Sequence, residues 1–168
     1  MEGDGVTEDF YTIRVTVEAN GETVKADFTE SDDACLGPLN CRWPSVAACV
    51  YYILKAVLDP ELPPNAGAYR PIQVKVRDGS LLSAQYPNAV CNANIITTQR
   101  IVDCLLGALS SAIPDKVAAA SSGTMNLLNI GGVDDRSGIK NPLGLAGHRL
   151  EAKVHLVTSA INVEKDIH

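Results

Sequence analysis

The residues able to do chemistry in this chain gather in one polar run. Asn92, Asn94, Thr97, Thr98 and Gln99 lead into an apolar stripe of Ile101, Val102, Leu105, Leu106, Leu109, Ala112 and Ile113. The stripe has helical spacing, and Pro114 ends it. The polar run therefore predicts a mouth at a helix N-terminus, where backbone N–H groups lack partners within the helix. Carboxamides and hydroxyls placed there read either as an ordered site or as a well-capped loop. A segment of small residues ending in Gly123, Thr124, Met125 and Asn126 follows the helix. Upstream, residues 59–71 hold four prolines around Asn65-Ala66-Gly67. Prolines at that density preset the backbone. The segment reads either as a wrap-around connector or as a shaped loop presenting Asn65 and Arg70, since rigidly held loops concentrate sites.

Nucleophile and metal chemistry find little support. The five cysteines, Cys35, Cys41, Cys49, Cys91 and Cys104, are odd in number and include no C-x-x-C pair, which indicates free thiols. Cys49 and Cys104 fall in apolar helical patterns, where cysteine behaves as a small core residue. A reactive thiol needs a neighbouring base, and the histidines, His148, His155 and His168, all lie in the last stretch. His148 and His155 have no third ligand at zinc or iron spacing, so no metal site is expected. Glu30, Asp32 and Asp33 lack the spacing of a calcium loop and read as a solvated turn. No phosphate-binding loop, G-x-G-x-x-G, G-x-S-x-G or H-E-x-x-H motif occurs. The chain is expected to bind no cofactor and no nucleotide by itself, and no catalytic residue is assigned.

The elements that must position these residues follow from periodicity. Residues 11–19 alternate, with Tyr11, Ile13, Val15, Val17 and Ala19 on one face. Asn20-Gly21 is a strong hairpin signal, because a type I′ turn needs positive φ at both central positions. A loop of those two residues sets Val17 opposite Val24, Val15 opposite Ala26, Ile13 opposite Phe28, Thr16 opposite Lys25 and Arg14 opposite Asp27, matching apolar with apolar and charge with countercharge. Pro44 suits a first helical turn, and residues 45–58, with Lys55 the only charge, predict a helix buried all round. Tyr51 and Tyr52 on it read as packing residues. Residues 72–77 alternate and end at Asp78-Gly79, where a tight hairpin would give a poor register, so a strand followed by a turn is expected. The fold class is α+β: an N-terminal β-hairpin, a buried helix, a further strand or strands, and the amphipathic helix.

Composition bounds the rest. The 168 residues are 46% hydrophobic and 20% charged with a net charge of −6, which suits one soluble globular domain. The negative charge argues against nucleic acid or anionic membrane as partner. No run is apolar enough to cross a bilayer, and the acidic start has no apolar signal region, so a cytoplasmic location is expected.

Several runs together resemble the hydantoinase B/5-oxoprolinase family. LDPELPPNAGAYRPIQV, GSLLSAQYPNAV, NANIITTQRIVDCLLGAL and AAASSGTMN occur in the family's order, and the likeness covers about residues 5–132. The family's Pro-Pro-Asn-Ala-Gly stands here at residues 63–67, followed by Arg70-Pro71. Its Gly-Asn-x-Glu-Thr-Ser-Gln-Arg is matched by Asn94, Thr97, Gln99 and Arg100, while Ala93, Ile96 and Thr98 depart. In its Ser-Gln-Gly-Thr-Met-Asn-Asn, Ser121, Gly123, Thr124, Met125 and Asn126 match, while Ser122 and Leu127 depart. The resemblance implies a substrate-binding set of Asn65, Arg70, Asn94, Thr97, Gln99, Arg100, Gly123, Thr124 and Asn126.

It also implies ATP-dependent hydrolysis of a cyclic amide of the 5-oxoproline or hydantoin type, with a hydantoinase A-type subunit that binds ATP. An unstrained lactam is a poor electrophile, and phosphorylating its carbonyl oxygen makes it open to water. ATP and a divalent metal are implied for the full assembly. The family's N-terminal metal-ligand motifs have no counterpart, and residues 133–168 depart from the pattern as a divergent tail. Within that tail, residues 144–158 weakly resemble a segment of the actin-like bacterial cell-division ATPase. Two other roles stay open: a non-catalytic remnant or interaction module, and a small-molecule binding domain using the mouth at residues 94–100. A piece of a larger assembly is expected to expose apolar surface and to associate as an oligomer.

Overall fold

The computed structural model describes Met1, residues 3–123 and two strands at 126–130 and 152–156. The chain divides into two units, Met1–Thr124 and Met125–His168.

In the first unit, β1 (Thr16–Asn20) and β2 (Thr23–Asp27) form the expected antiparallel hairpin. The register differs from the expectation by two: Val17 faces Ala26 and Glu18 faces Lys25. The loop is Gly21-Glu22, not Asn20-Gly21. Gly21, at φ +58°, takes the first loop position, where positive φ favours glycine, and the Thr23 hydroxyl donates to the Asn20 carbonyl at 2.9 Å. A shift of two keeps every side chain on its own face. It also brings Lys25 within 3.5 Å of Glu18 across the hairpin, while Asp27 on the same strand lies 3.1 Å from the Lys25 ammonium. Residues 11–15 keep their alternation but pair with a loop instead of β2. The Arg14 N–H donates to Ser31 Oγ at 3.1 Å, and that hydroxyl donates back to the Arg14 carbonyl at 3.1 Å. Arg14 therefore ion-pairs with Asp32, at 3.1 Å, and not with Asp27.

Parallel to β2 runs β3 (Ile72–Lys75), with Val74 facing Ala26. Parallel neighbours need a crossover, and this one carries α1 (Trp43–Leu58), with Pro44 in its first turn, and the short α2 (Ala66–Tyr69). Val46, Val50, Ile53, Leu54 and Val57 of α1 are buried, but Ala48, Tyr52 and Ala56 are exposed. The helix is covered on one side only, contrary to the all-round burial its composition suggests. Tyr51 stacks on Tyr69 of α2, with ring centroids 4.3 Å apart and planes 4° apart, so it is a packing residue. The amphipathic helix is α3 (Thr98–Ser110), burying Ile101, Leu105 and Leu109. It packs against α1 and β1, and α1 packs against β3. Phe28, Val46, Val50, Leu81, Leu82 and Ile101 are fully buried between these elements; each such side chain contributes roughly 1.5–3 kcal/mol.

Two polar knots join the loops to this core. Fully buried Asn40 accepts the Cys35 N–H at 2.8 Å and donates to the carbonyls of Cys35 (2.9 Å), Gly37 (3.0 Å) and Ala89 (3.0 Å). Asp4 accepts the N–H groups of Val6 (2.8 Å), Thr7 (2.7 Å) and Gly37 (2.7 Å) and the Tyr11 hydroxyl (3.2 Å). A Cβ at Gly37 would overlap the Asp4 backbone, so only glycine lets the two segments meet.

In the second unit, β4 (Asn126–Ile130) pairs antiparallel with β5 (Ala152–Leu156), with Leu127 opposite His155. His148 lies outside the described residues. Among the described residues no helix is long and apolar enough to cross a membrane.

Two outcomes follow. Asn40→Ala leaves buried backbone groups unpaired and is expected to destabilise the fold by about 2–4 kcal/mol, measured by urea unfolding. The Asp4 carboxyl is held well below the usual carboxylate range, first by the Thr7 N–H and then by those of Gly37 and Val6, against the opposing push of burial. Its contribution is present above the unfolded-state value of about 4 and is lost as pH falls below it. Wild type is expected to lose stability steeply on acidification from about pH 4, and Asp4→Asn to flatten that dependence.

Candidate functional site

The first turn of α3 carries Arg100 to the turn at residues 121–123. Its Nη2 donates to the Ser122 carbonyl at 2.9 Å, and its Nη1 lies 3.9 Å from the Asp103 carboxylate three residues along the same helix, a spacing that puts the two on one face. Asp103 accepts the Ser121 N–H at 3.3 Å and hydroxyl at 3.4 Å. The Ser121 oxygen in turn accepts the Gly123 N–H at 3.0 Å. Gly123 has φ +66°, and a Cβ there would overlap the Arg100 guanidinium. Glycine therefore lets the cation lie against the backbone.

Arg100 and Gly123 line a cleft of about 730 Å3 together with Gly3, Asp4, Gly5, Asn92 and Ile96. The Asp4 charge is turned inward to its N–H donors, which leaves Arg100 as the cationic side chain of the cleft. A half-exposed guanidinium fixed by a carbonyl and a carboxylate can receive a carboxylate or a developing oxyanion with little reorganisation.

The mouth itself differs from the sequence expectation. Residues Ala93–Thr97 already form a wide π-helical turn ahead of α3, a feature frequent at functional sites. The Asn92 carbonyl accepts from Ile95 (3.2 Å) and Ile96 (3.1 Å), and the Thr98 N–H donates to the Ala93 carbonyl. The amide that opens α3 is thus already paired. Thr97 is fully buried and gives its hydroxyl to the Leu39 carbonyl, so it ties the turn to the core and faces away from solvent. Asn94 is exposed and Gln99 partly so, and neither lines the cleft. Asn65 caps α2, its Oδ1 accepting the Ala68 N–H at 3.0 Å, and neither Asn65 nor Arg70 lines the cleft. Asn126 opens β4 in the second unit, and Thr124 lies outside the described residues. Asp4, Asp103 and the partner role of Ser121 were not singled out by sequence reasoning. For Asp103 a signal existed, its i,i+3 spacing from Arg100 on a predicted helix.

Burial pushes the thiols of Cys35, Cys41 and Cys104 up, and that of Cys49 to about 11, which disfavours the nucleophilic thiolate at all four. Among the described residues no group of three His, Cys, Asp or Glu side chains can hold a metal ion.

The family model described as "Hydantoinase B/oxoprolinase" matches residues 1–152. The chain belongs to this family. The match extends past residue 132, into the stretch expected to depart from the pattern. Among curated relatives, an uncharacterised protein of Methanocaldococcus jannaschii is 37% identical over 120 residues, 71% of this chain and 21% of that protein. Arabidopsis thaliana 5-oxoprolinase 1 is 30% identical over 132 residues, 79% of this chain and 10% of that protein. The hydantoinase B-like chain thus spans about a fifth or less of these relatives. A short partial match, 51% identical over 35 residues, links 21% of the chain to 8% of the cell division protein FtsA of Pseudomonas aeruginosa. The ATP-dependent caprolactamase of Pseudomonas jessenii shares the fold, with a TM-score of 0.64 at 24% identity over 86% of this chain and 23% of that one.

Gly123→Ala places a methyl group where the guanidinium lies and forces a left-handed backbone on alanine. The expected result is a loss of about 1 kcal/mol in stability with faster hydrogen exchange at residues 121–123, read by exchange mass spectrometry.

Proposed function

We propose that this hydantoinase B-like chain supplies the Arg100 cleft of an enzyme that opens a cyclic amide of the 5-oxoproline or hydantoin type in an ATP-dependent reaction, together with a hydantoinase A-type subunit. The observation that carries the reading is family membership across residues 1–152, and named relatives, including those of Arabidopsis thaliana and Saccharomyces cerevisiae, are 5-oxoprolinases. Resonance makes an unstrained lactam carbonyl a weak electrophile, so its opening places negative charge on oxygen that needs preorganised donors. Arg100, fixed before any ligand arrives, suits that demand.

The described residues do not fit ATP or a metal. A phosphate cradle needs free backbone N–H groups, and at the cleft the Gly3 and Asp4 N–H groups are already bonded to the Asp9 and Thr7 carbonyls, at 3.0 and 3.1 Å. The Asp4 oxygens are engaged by five internal donors. We therefore assign ATP to the A-type subunit and place no metal on the described residues of this chain. The chain acts as one part of a larger, oligomeric enzyme. Exposed Leu36, Tyr52 and Tyr86 suit such packing, and the unpaired cysteines suit the reducing cytoplasm.

A second reading, a non-catalytic remnant or interaction module, is favoured by Ile96, which lines the cleft where the family pattern carries an acid. The assay is turnover of 5-oxoproline and hydantoin with ATP and the A-type subunit. The catalytic reading expects turnover that falls about 100-fold in Arg100→Ala, the range for one preorganised donor. No turnover beside an active full-length homologue establishes the remnant.

A further inference from the structure

We propose that Asp103 is the positioning residue of the cleft, presetting Arg100 by tying it to the turn at residues 121–123. The inference deepens the function proposed above and rests on its reading of Arg100 as the group that meets substrate charge. Asp103 does not line that cleft, so it acts through its neighbours.

The contacts form a closed loop. Arg100 donates to the Ser122 carbonyl at 2.9 Å, and Asp103 accepts both the N–H and the hydroxyl of Ser121, the residue before. The carboxylate also stands 3.9 Å from the Arg100 guanidinium. One oxygen, Oδ1, takes the Ser121 N–H, and the other, Oδ2, takes the hydroxyl and faces the guanidinium. With its side chain 13% exposed, Asp103 is screened less than a surface acid, and charge-assisted bonds of this kind are the stronger ones. The hydroxyl it orients accepts the Gly123 N–H at 3.0 Å, which fixes the glycine against which the guanidinium lies. A long arginine side chain loses freedom when it is held, and Asp103 removes that freedom before a ligand arrives, which is preorganisation. An asparagine has the same shape but places at most one acceptor in this loop.

A purely structural tie would lower stability and leave Arg100 chemistry alone. The deciding measurement is nitrogen-15 NMR of the Arg100 guanidinium, which reads rotation about its Nε–Cζ bond in the chain itself. In Asp103→Asn that rotation is expected to speed up about tenfold while the amide spectrum stays folded, and Asp103→Glu to restore part of the restraint. In the assembled enzyme Asp103→Asn is expected to raise KM about tenfold and to have no further effect in an Arg100→Ala background. Unchanged rotation, or additive effects of the two substitutions, overturns the proposal. If Arg100→Ala leaves turnover intact, the reading of the cleft fails, while the NMR comparison still decides the role of Asp103. Should Asp103→Asn not fold, Ser121→Ala removes the hydroxyl and keeps both charges; about threefold faster rotation supports the proposal and no change overturns it.

Discussion

Asn40 is a buried carboxamide with four backbone partners, and most of the cleft wall depends on it. Its bonds hold the loop at residues 35–41 to itself and to the Ala89 carbonyl 49 residues on. The first set of bonds places Gly37, whose N–H the Asp4 carboxylate accepts, and that brings Gly3, Asp4 and Gly5 to one side of the cleft. The bond to Ala89 fixes the approach to Asn92, whose N–H donates to the Pro38 carbonyl at 2.9 Å. A buried network of this kind stabilises only when complete, and within it both side-chain polar atoms of Asn40 are used.

The same loop governs the entrance to α3. Leu39 offers its carbonyl to the Thr97 hydroxyl, and Thr97 reaches it because the chain makes a wide turn over Ala93–Thr97 before tightening. An ordinary α-helical start would rotate the following residues relative to that anchor. Arg100, three residues after Thr97, is aimed by this anchor from one end and by the turn at residues 121–123 from the other. The cation owes its place to packing on both sides, and its surface position understates how firmly it is held.

Local pattern made the α+β class, the hairpin, both long helices and the third strand legible in the sequence, because alternation and 3.6-residue spacing are properties of neighbours. The hairpin register was not legible. Asn20-Gly21 and Gly21-Glu22 both put glycine in the loop, and the choice was made by Lys25 meeting Glu18 and by Ser31 taking the backbone of Arg14, a contact across 17 residues. The exposed side of α1 was hidden for a similar reason: its small and aromatic residues look alike whether covered or bare. At the site, Arg100 and Gly123 were named through the family pattern, whereas Asp103 carried only a spacing signal that sequence reasoning did not take up. Asn40 and Asp4 carry no local signal, since their meaning lies in carbonyls and amides distant along the chain.

The departures from the family pattern gain meaning from where they sit. Ile96 lines the cleft beside Arg100, so an acid at that place would face the guanidinium across a shared space and draw its charge inward. With isoleucine there, the positive charge is answered by Asp103 from behind and by the Ser122 carbonyl, and the cleft side stays open to an anion. An isoleucine at position 96 thus adds no charge beside the guanidinium. Glycine at position 123 permits the close approach of the guanidinium to the backbone and holds the left-handed conformation of the turn. Gly123 therefore bears on how Arg100 is held, and Ile96 on the charge that Arg100 faces.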